Sequence, residues 1–254
     1  MSAFYESDRA LAEYLLFHYG TAEQIRPPTP ELAGLLGFAR RCVTEGFVWP
    51  PPDGSARALD LGCAVGGAAF ELARHVPEVI GVDYSRSFIA AAERLRGEGT
   101  CSVEVVEEGE LTRPVTLRRP EGIDPARLRF QTGDALNLPD DLGTFDLVLA
   151  ANLIDRLADP ARFLARLPAL VRPGGSLLLT SPYTWLEAYT PRERWLGGFI
   201  REGQPVKTQD TLRELLAPAF ILEKTIDLPF LIREHARKFQ ASVAEGTLWR
   251  RQSA

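Results

Sequence analysis

The chain has 254 residues, of which 45% are hydrophobic and 25% charged, enough apolar material for a real core. Its formal net charge of −5, with arginines scattered along the length, argues against a nucleic-acid partner, which needs a basic face. No run approaches the ~20 apolar residues of a membrane helix, residues 1–20 do not read as a signal peptide, and Cys42, Cys63 and Cys101 form no CxxC pair; the expectation is a cytoplasmic chain without disulfides, structural metal or membrane partner.

Taken in chain order, residues 4–19 carry apolar side chains at Leu11, Tyr14, Leu15 and Tyr19, near helical spacing, and Gly20 stands where a helix would stop. Pro27, Pro28 and Pro30 break the chain, and residues 31–47 read as a second helix. Residues 49–54 are a turn-rich linker. From Arg57 strands and helices alternate: strands over 58–61, 78–82, 128–132, 145–150 and 176–180, helices over 67–75, 88–96 and 160–170. Such alternation predicts an α/β fold, a mostly parallel sheet covered on both faces. Residues 100–127 interrupt it as an inserted β-hairpin, and residues 182–208 form a long aromatic-rich loop of the kind used as a lid or a binding loop. The expected organisation is one domain over 1–254, with an N-terminal helical cap over 1–52 and a core over 57–254.

The strongest local signal is Asp60-Leu61-Gly62-Cys63-Ala64-Val65-Gly66-Gly67 at the end of the first strand. Gly62 lets the backbone turn sharply against a ligand, and Gly66 lets the next helix start close to the strand. A dinucleotide fingerprint reads G-x-G-x-x-G and cradles a pyrophosphate. Here the spacing is D-x-G-x-x-x-G, and a carboxylate ahead of the first glycine suits a cationic amine better than a pyrophosphate. Cys63 is read as a small residue filling a tight turn rather than as a reactive thiol.

In this loop the sequence resembles the class I methyltransferases. The resemblance implies a Rossmann-like seven-stranded fold and S-adenosyl-L-methionine as cofactor, with S-adenosyl-L-homocysteine as product. It assigns cofactor contacts to Asp60, Gly62, Cys63, Ala64 and Gly66 in the loop, and to Asp83 and Tyr84 after the second strand. Asp134 and Ala135 after the third strand, and Asn152 and Leu153 after the fourth, complete that set. Asp83, with its place at the strand end, suits two ribose hydroxyls.

Four further blocks narrow the family: Tyr5–Asp8 with Tyr14–Gly20, Ala151–Leu157, Ser181–Glu187 with Tyr189–Pro191, and Pro229–Gln240. Together they resemble the 4-mercaptohistidine N1-methyltransferases, which occur alone or as the C-terminal domain of ovothiol synthases. That resemblance implies a small-molecule amino-acid substrate, 5-thiohistidine, methylated on an imidazole nitrogen to give ovothiol A. Tyr183, Asn152 and Asp155 are the candidate catalytic residues; Tyr14, His18, Tyr19, Arg156, Arg233 and His235, again with Asn152 and Tyr183, are the candidate substrate contacts. The residue types suit a zwitterion: cations and amides for its carboxylate, acids for its ammonium, aromatic walls for its ring. A monomer or a homodimer is expected, with the inserted hairpin as a possible contact surface. The alternatives are a methyltransferase of another small amino acid or a phenolic metabolite, and a non-catalytic cofactor-binding member of the fold; a nicotinamide oxidoreductase lacks the glycine spacing.

Overall fold

The computed structural model describes residues 3–48 and 55–253, so the linker expected over 49–54 lies outside them. Helix α1 (Asp8–Tyr19) starts where the Ser7 hydroxyl accepts the Ala10 amide at 3.2 Å, after a short 3₁₀ turn over Ala3–Glu6. A capping box between Thr21 and Gln24 then makes the one-turn helix α2 (Ala22–Ile25), which hydrophobic spacing alone does not reveal. The single helix expected over 31–47 is two pieces: a 3₁₀ segment at Pro30–Leu35 and helix α3 (Phe38–Gly46). Gly37, at φ +69°, breaks the helix between them.

Strand β1 (Arg57–Leu61), helix α4 (Gly67–Leu72), strand β2 (Glu78–Asp83) and helix α5 (Arg86–Glu98) follow. The insertion is a hairpin of β3 (Thr100–Glu108) and β4 (Leu111–Arg118). Next come β5 (Leu128–Thr132), β6 (Phe145–Ala151), α6 (Pro160–Leu170) and β7 (Val171–Ser181). The long loop holds a small hairpin, β8 (Phe199–Arg201) and β9 (Gln204–Val206), ahead of α7 (Thr208–Leu216). The chain closes with β10 (Phe220–His235) and β11 (Lys238–Arg251), two long antiparallel strands.

The main sheet has seven strands in the order β10-β11-β7-β6-β1-β2-β5. β11 alone is antiparallel to its neighbours, so the sheet is mostly parallel, as the alternation predicts. Successive strand residues point to opposite faces, which divides the core in two. Ala58, Leu147, Leu149 and Leu178 pack under α1, α3, α4 and α5. Leu59, Leu61, Val148, Leu177 and Trp249 pack under α6, α7 and the 185–196 segment.

On β10 the same alternation separates two jobs. Phe230 and Ile232 lie opposite Ser242 and Gln240 of β11. Arg233, one residue further on, turns to the inserted hairpin: its Nη1 donates to the Val106 carbonyl at 2.8 Å and its Nη2 to Glu107 at 2.7 Å. The register shift between Arg233 and His235 brings Glu234 to Arg9 of α1, 3.6 Å away.

The Arg233 side chain is almost wholly buried, but its partner Glu107 is part-exposed and is still held by Arg113 in an Arg233→Ala variant. A loss of about 1.5–3 kcal/mol is expected, the worth of a hydrogen bond to a charged group, read by denaturant unfolding, with S-adenosylhomocysteine affinity unchanged in the folded fraction.

Candidate active site

The C-terminal ends of β1, β2 and β6 open into a cleft of about 210 Å³. The loop after β1 forms one wall and must carry no side chains at two points. Gly62 has φ +71° and a Cβ there would meet Leu153 Cδ1 at 2.9 Å; Gly66 has φ +87° and a Cβ would meet Phe130 Cζ at 2.7 Å. Ala64, Asn152 and Tyr183 hold positive φ of 47°, 51° and 53° at the turns after β1, β6 and β7. Non-glycine residues bear such strain, roughly 1–3 kcal/mol each, where surrounding structure enforces it, and they cluster at functional sites.

Asp60 lines the cleft at 1% exposure, and its Oδ2 has no hydrogen-bond partner among the described residues. Burial, with the nearby Asp83 charge adding to it, pushes its carboxyl up to about 7. A buried, unpaired carboxylate oxygen is costly unless a ligand supplies a donor. Asp83 is positioned by two amides, Ala64 N on Oδ2 at 2.9 Å and Ser85 N on Oδ1 at 2.8 Å, and burial raises its pKa too. Each of its oxygens keeps a second lone pair for a hydroxyl. Tyr84, Gly133 and Ala135 line the same end. Across the cleft, the backbone N–H and side-chain oxygen of Asn152 are fixed by Thr180, which leaves its amide nitrogen with no partner among the described residues.

Helix α1 holds the loop from outside. Tyr19 donates its hydroxyl to the Val65 carbonyl at 2.5 Å, and Gly67 donates its amide to His18 Nδ1 at 3.1 Å. The N-terminal 3₁₀ turn completes this wall. Ser85 donates its hydroxyl to the Tyr5 carbonyl at 3.0 Å, and the Glu6 carboxylate caps the start of α5 at Arg86 N, 2.9 Å. The Tyr5 ring packs near Tyr14, Phe88 and Tyr189, and burial drives its hydroxyl up to about 12.

The expected cofactor contacts therefore gather in one place, with two exceptions in detail. The Asp134 carboxylate turns onto Leu136 N at 2.9 Å and Asn137 Nδ2 at 2.6 Å, while its neighbours Gly133 and Ala135 face the cleft. Gly66 shapes the loop from behind without lining the cleft. Of the substrate candidates, Tyr14, His18, Asn152 and Arg156 line the cleft. Tyr19, Tyr183, Arg233 and His235 do not, each for a local reason. Tyr19 clasps the loop, Tyr183 donates to Glu245 at 2.6 Å, Arg233 is taken by the inserted hairpin, and His235 accepts Arg237 N at the β10–β11 turn. Asp155, expected to be catalytic, is fully buried away from the cleft. It accepts from Arg156 at 2.7 Å, Ser181 at 3.1 Å and Thr184 N at 3.1 Å, and so positions Arg156.

Sequence reasoning missed Tyr5, Phe38, Ile232, Gln240 and Ser242, all of which line the cleft. Gln240 and Ile232 lie in the fourth unusual block, but only strand parity tells which of its members face inward. Phe38 carries no signal of its own. The loop over 182–208, expected as a lid or a binding loop, contributes Pro182 and Thr184 to the cleft and is pinned by Trp185, which is buried and donates to Thr208 at 2.9 Å.

The sheet order makes β1 the switch point, with β2 and β5 to one side and β6 and β7 to the other, where an open α/β sheet binds its ligand. A bare-backbone loop there, beside a buried carboxylate with one unpartnered oxygen, is the arrangement of a class I methyltransferase, whose cofactor is S-adenosylmethionine. The chain belongs to the methyltransferase-domain family, whose model matches residues 39–219. It is 26% identical over 158 residues to norajmaline N-methyltransferase of Rauvolfia serpentina, covering 60% of this chain and 47% of that protein. It is 31% identical over 176 residues to trans-aconitate 2-methyltransferase of Deinococcus radiodurans, covering 63% and 56%. The chain thus spans about half the length of these curated relatives. Among solved structures, the (4+2)-cyclase SpnF superposes with a TM-score of 0.59 at 18% identity, over 98% of this chain and 95% of that one, a likeness of fold alone. Among the described residues no helix is long and apolar enough to cross a membrane.

An ammonium ligand binds only ionised Asp60. Affinity for S-adenosylhomocysteine should therefore rise as pH increases towards about 7 and level off above it, with protons released on binding below that point. Asp60→Asn should flatten this profile and weaken binding ~10- to 100-fold, the worth of a hydrogen bond to a charged group. Calorimetry in buffers of different ionisation enthalpy measures both. In the free protein the raised pKa acts with the opposite sign: its contribution to stability is full below about pH 4 and is lost as pH rises through about 7.

Proposed function

We propose that the protein transfers the methyl group of S-adenosylmethionine to an imidazole nitrogen of 5-thiohistidine, the last step of ovothiol A formation. The observation that carries this reading is the composition of the acceptor half of the cleft. The fourth block of the thiohistidine resemblance supplies Phe230, Ile232 and Gln240 to it. Phe17 and Phe38 stack at 5.6 Å with Phe230 against both, which gives a planar ring an aromatic wall. Arg156 and Ser242 line the cleft as well and offer donors to a carboxylate, while the Gln240 amide nitrogen is held by Glu234 at 2.6 Å. Because the curated relatives extend well beyond the matched region, the substrate rests on this site chemistry and on the resemblance.

The cofactor, when bound, supplies an electrophilic sulfonium methyl. Asp60 would hold its ammonium and Asp83 its ribose hydroxyls, with Tyr84 beside them. The chain's remaining task is orientation. The aromatic wall and Asn152 fix the acceptor ring, and the N-terminal turn with Tyr5 and Tyr14 keeps water out. Positioning of this kind is worth up to ~7–11 kcal/mol in well-oriented systems. A nitrogen acceptor fits better than a phenol, because the cleft carboxylates Asp60 and Asp83 are taken up by the cofactor in this reading, while His18 has its Nδ1 occupied by Gly67 and burial pushes its ring down to about 4. The norajmaline enzyme is likewise an N-methyltransferase by name, which supports this choice.

Purified protein incubated with S-adenosylmethionine and 5-thiohistidine should yield a product heavier by one methyl group in mass spectrometry. No methylation, with S-adenosylhomocysteine binding intact by calorimetry, would discard the acceptor and keep the fold and cofactor.

A further inference from the structure

His18 is tied to the loop and open to the cleft at once. The Gly67 N–H can only donate, so Nδ1, 3.1 Å away, must be an acceptor without a proton. The ring is held neutral near pH 7 by burial, which disfavours its cation. A neutral imidazole with a bare Nδ1 carries its proton on Nε2. Nε2 bonds to no described residue and is not among the buried orphan atoms, and His18 lines the cleft. Tyr14, one helical turn earlier, packs its ring 6.1 Å from His18 and restricts its swing.

We propose that His18 is a specificity-determining donor: locked through Nδ1 to the Gly67 amide, it presents Nε2–H to the acceptor molecule and selects a ring bearing an anionic atom. This rests on the methyl-acceptor reading of the cleft and deepens it. The thiolate of 5-thiohistidine meets the requirement and the unsubstituted ring of histidine does not, so the cleft prefers the sulfur-bearing substrate. A thiolate left without a donor in a closed cleft would pay its full desolvation cost. The same bond that fixes the tautomer belongs to the first turn of α4, so the donor is set in place by the cofactor loop itself.

Two substitutions separate the two ends of the ring. His18→Asn puts an amide oxygen near the Nδ1 position and keeps the Gly67 bond, but removes the Nε2 donor. His18→Gln puts an amide nitrogen near Nε2 and gives up the Gly67 bond. The expected results are that His18→Asn binds S-adenosylhomocysteine as the wild type does, while kcat/KM for 5-thiohistidine falls about 10- to 100-fold and the preference over histidine disappears. His18→Gln should regain part of that preference with weaker S-adenosylhomocysteine binding. A His18→Asn variant that keeps the preference would overturn the proposal.

Nitrogen-15 NMR of the wild-type protein with S-adenosylhomocysteine bound reads the donor without turnover. The proton should sit on Nε2 at pH 7, and its resonance should move when 5-thiohistidine is added. A proton on Nδ1, a charged ring, or an unmoved resonance would also overturn it. If the resonance moves but no methyl is transferred, only the methylation reading fails; if turnover occurs with preference and resonance unaffected by His18, only the donor role fails.

Discussion

Everything at this site depends on a loop that must keep its backbone bare. Gly62 and Gly66 have no room for a Cβ and hold positive φ, while Cys63, Ala64 and Val65 between them are buried in the core, so packing alone does not fix the direction of the loop's polar backbone groups. The rigidity comes from outside. The last turn of α1 takes the Val65 carbonyl with Tyr19 and the Gly67 amide with His18, while Asp83 takes the Ala64 amide. A strained left-handed Ala64 is tolerable only because these partners fix the residues on both sides of it.

This arrangement makes the N-terminal helix part of the site rather than a cover laid over it. α1 reads the loop with its last turn, and the 3₁₀ turn before it bonds to the start of α5, directly after Asp83 and Tyr84. The cofactor end and the acceptor end of the cleft are thereby spanned by one continuous segment, Tyr5 to Tyr19. Asp155 plays the matching part on the far side. Its buried carboxylate gathers Arg156 and the turn after β7, and Arg156 in turn lies over the Tyr189 ring at 4.9 Å.

The sequence made the cofactor end legible because that end is built from short-range constraints. Asp60, Gly62, Gly66 and Asp83 sit at fixed offsets from strand ends, and the backbone geometry demands glycine at 62 and 66. The acceptor end is assembled from α1, α3, β10 and β11, which meet only in three dimensions. Arg233 and His235 have suitable chemistry in a suitable block, but a strand shows alternate residues to opposite faces, and the cleft side belongs to Phe230 and Ile232. The break at Gly37 escaped notice because apolar periodicity runs through it. The Thr21–Gln24 capping box was readable in principle, but its helix is a single turn long. Asp155 has the chemistry of a catalytic acid in sequence, but three internal donors, Arg156, Ser181 and Thr184 N, take up its carboxylate, and only the folded chain brings them together.

The division of labour along β10 also bears on how this chain can vary. Ile232 and Arg233 are adjacent in sequence, yet one lines the cleft and the other fastens the inserted hairpin. A deletion or insertion of one residue ahead of Phe230 would exchange the two sets, pushing a guanidinium into the aromatic wall and leaving Glu107 with Arg113 alone. A change of two residues would keep each set on its own side. The length of this strand is therefore constrained by parity more than by size, and homologues that alter it should do so in even steps or absorb the odd one in the irregularity at Glu234.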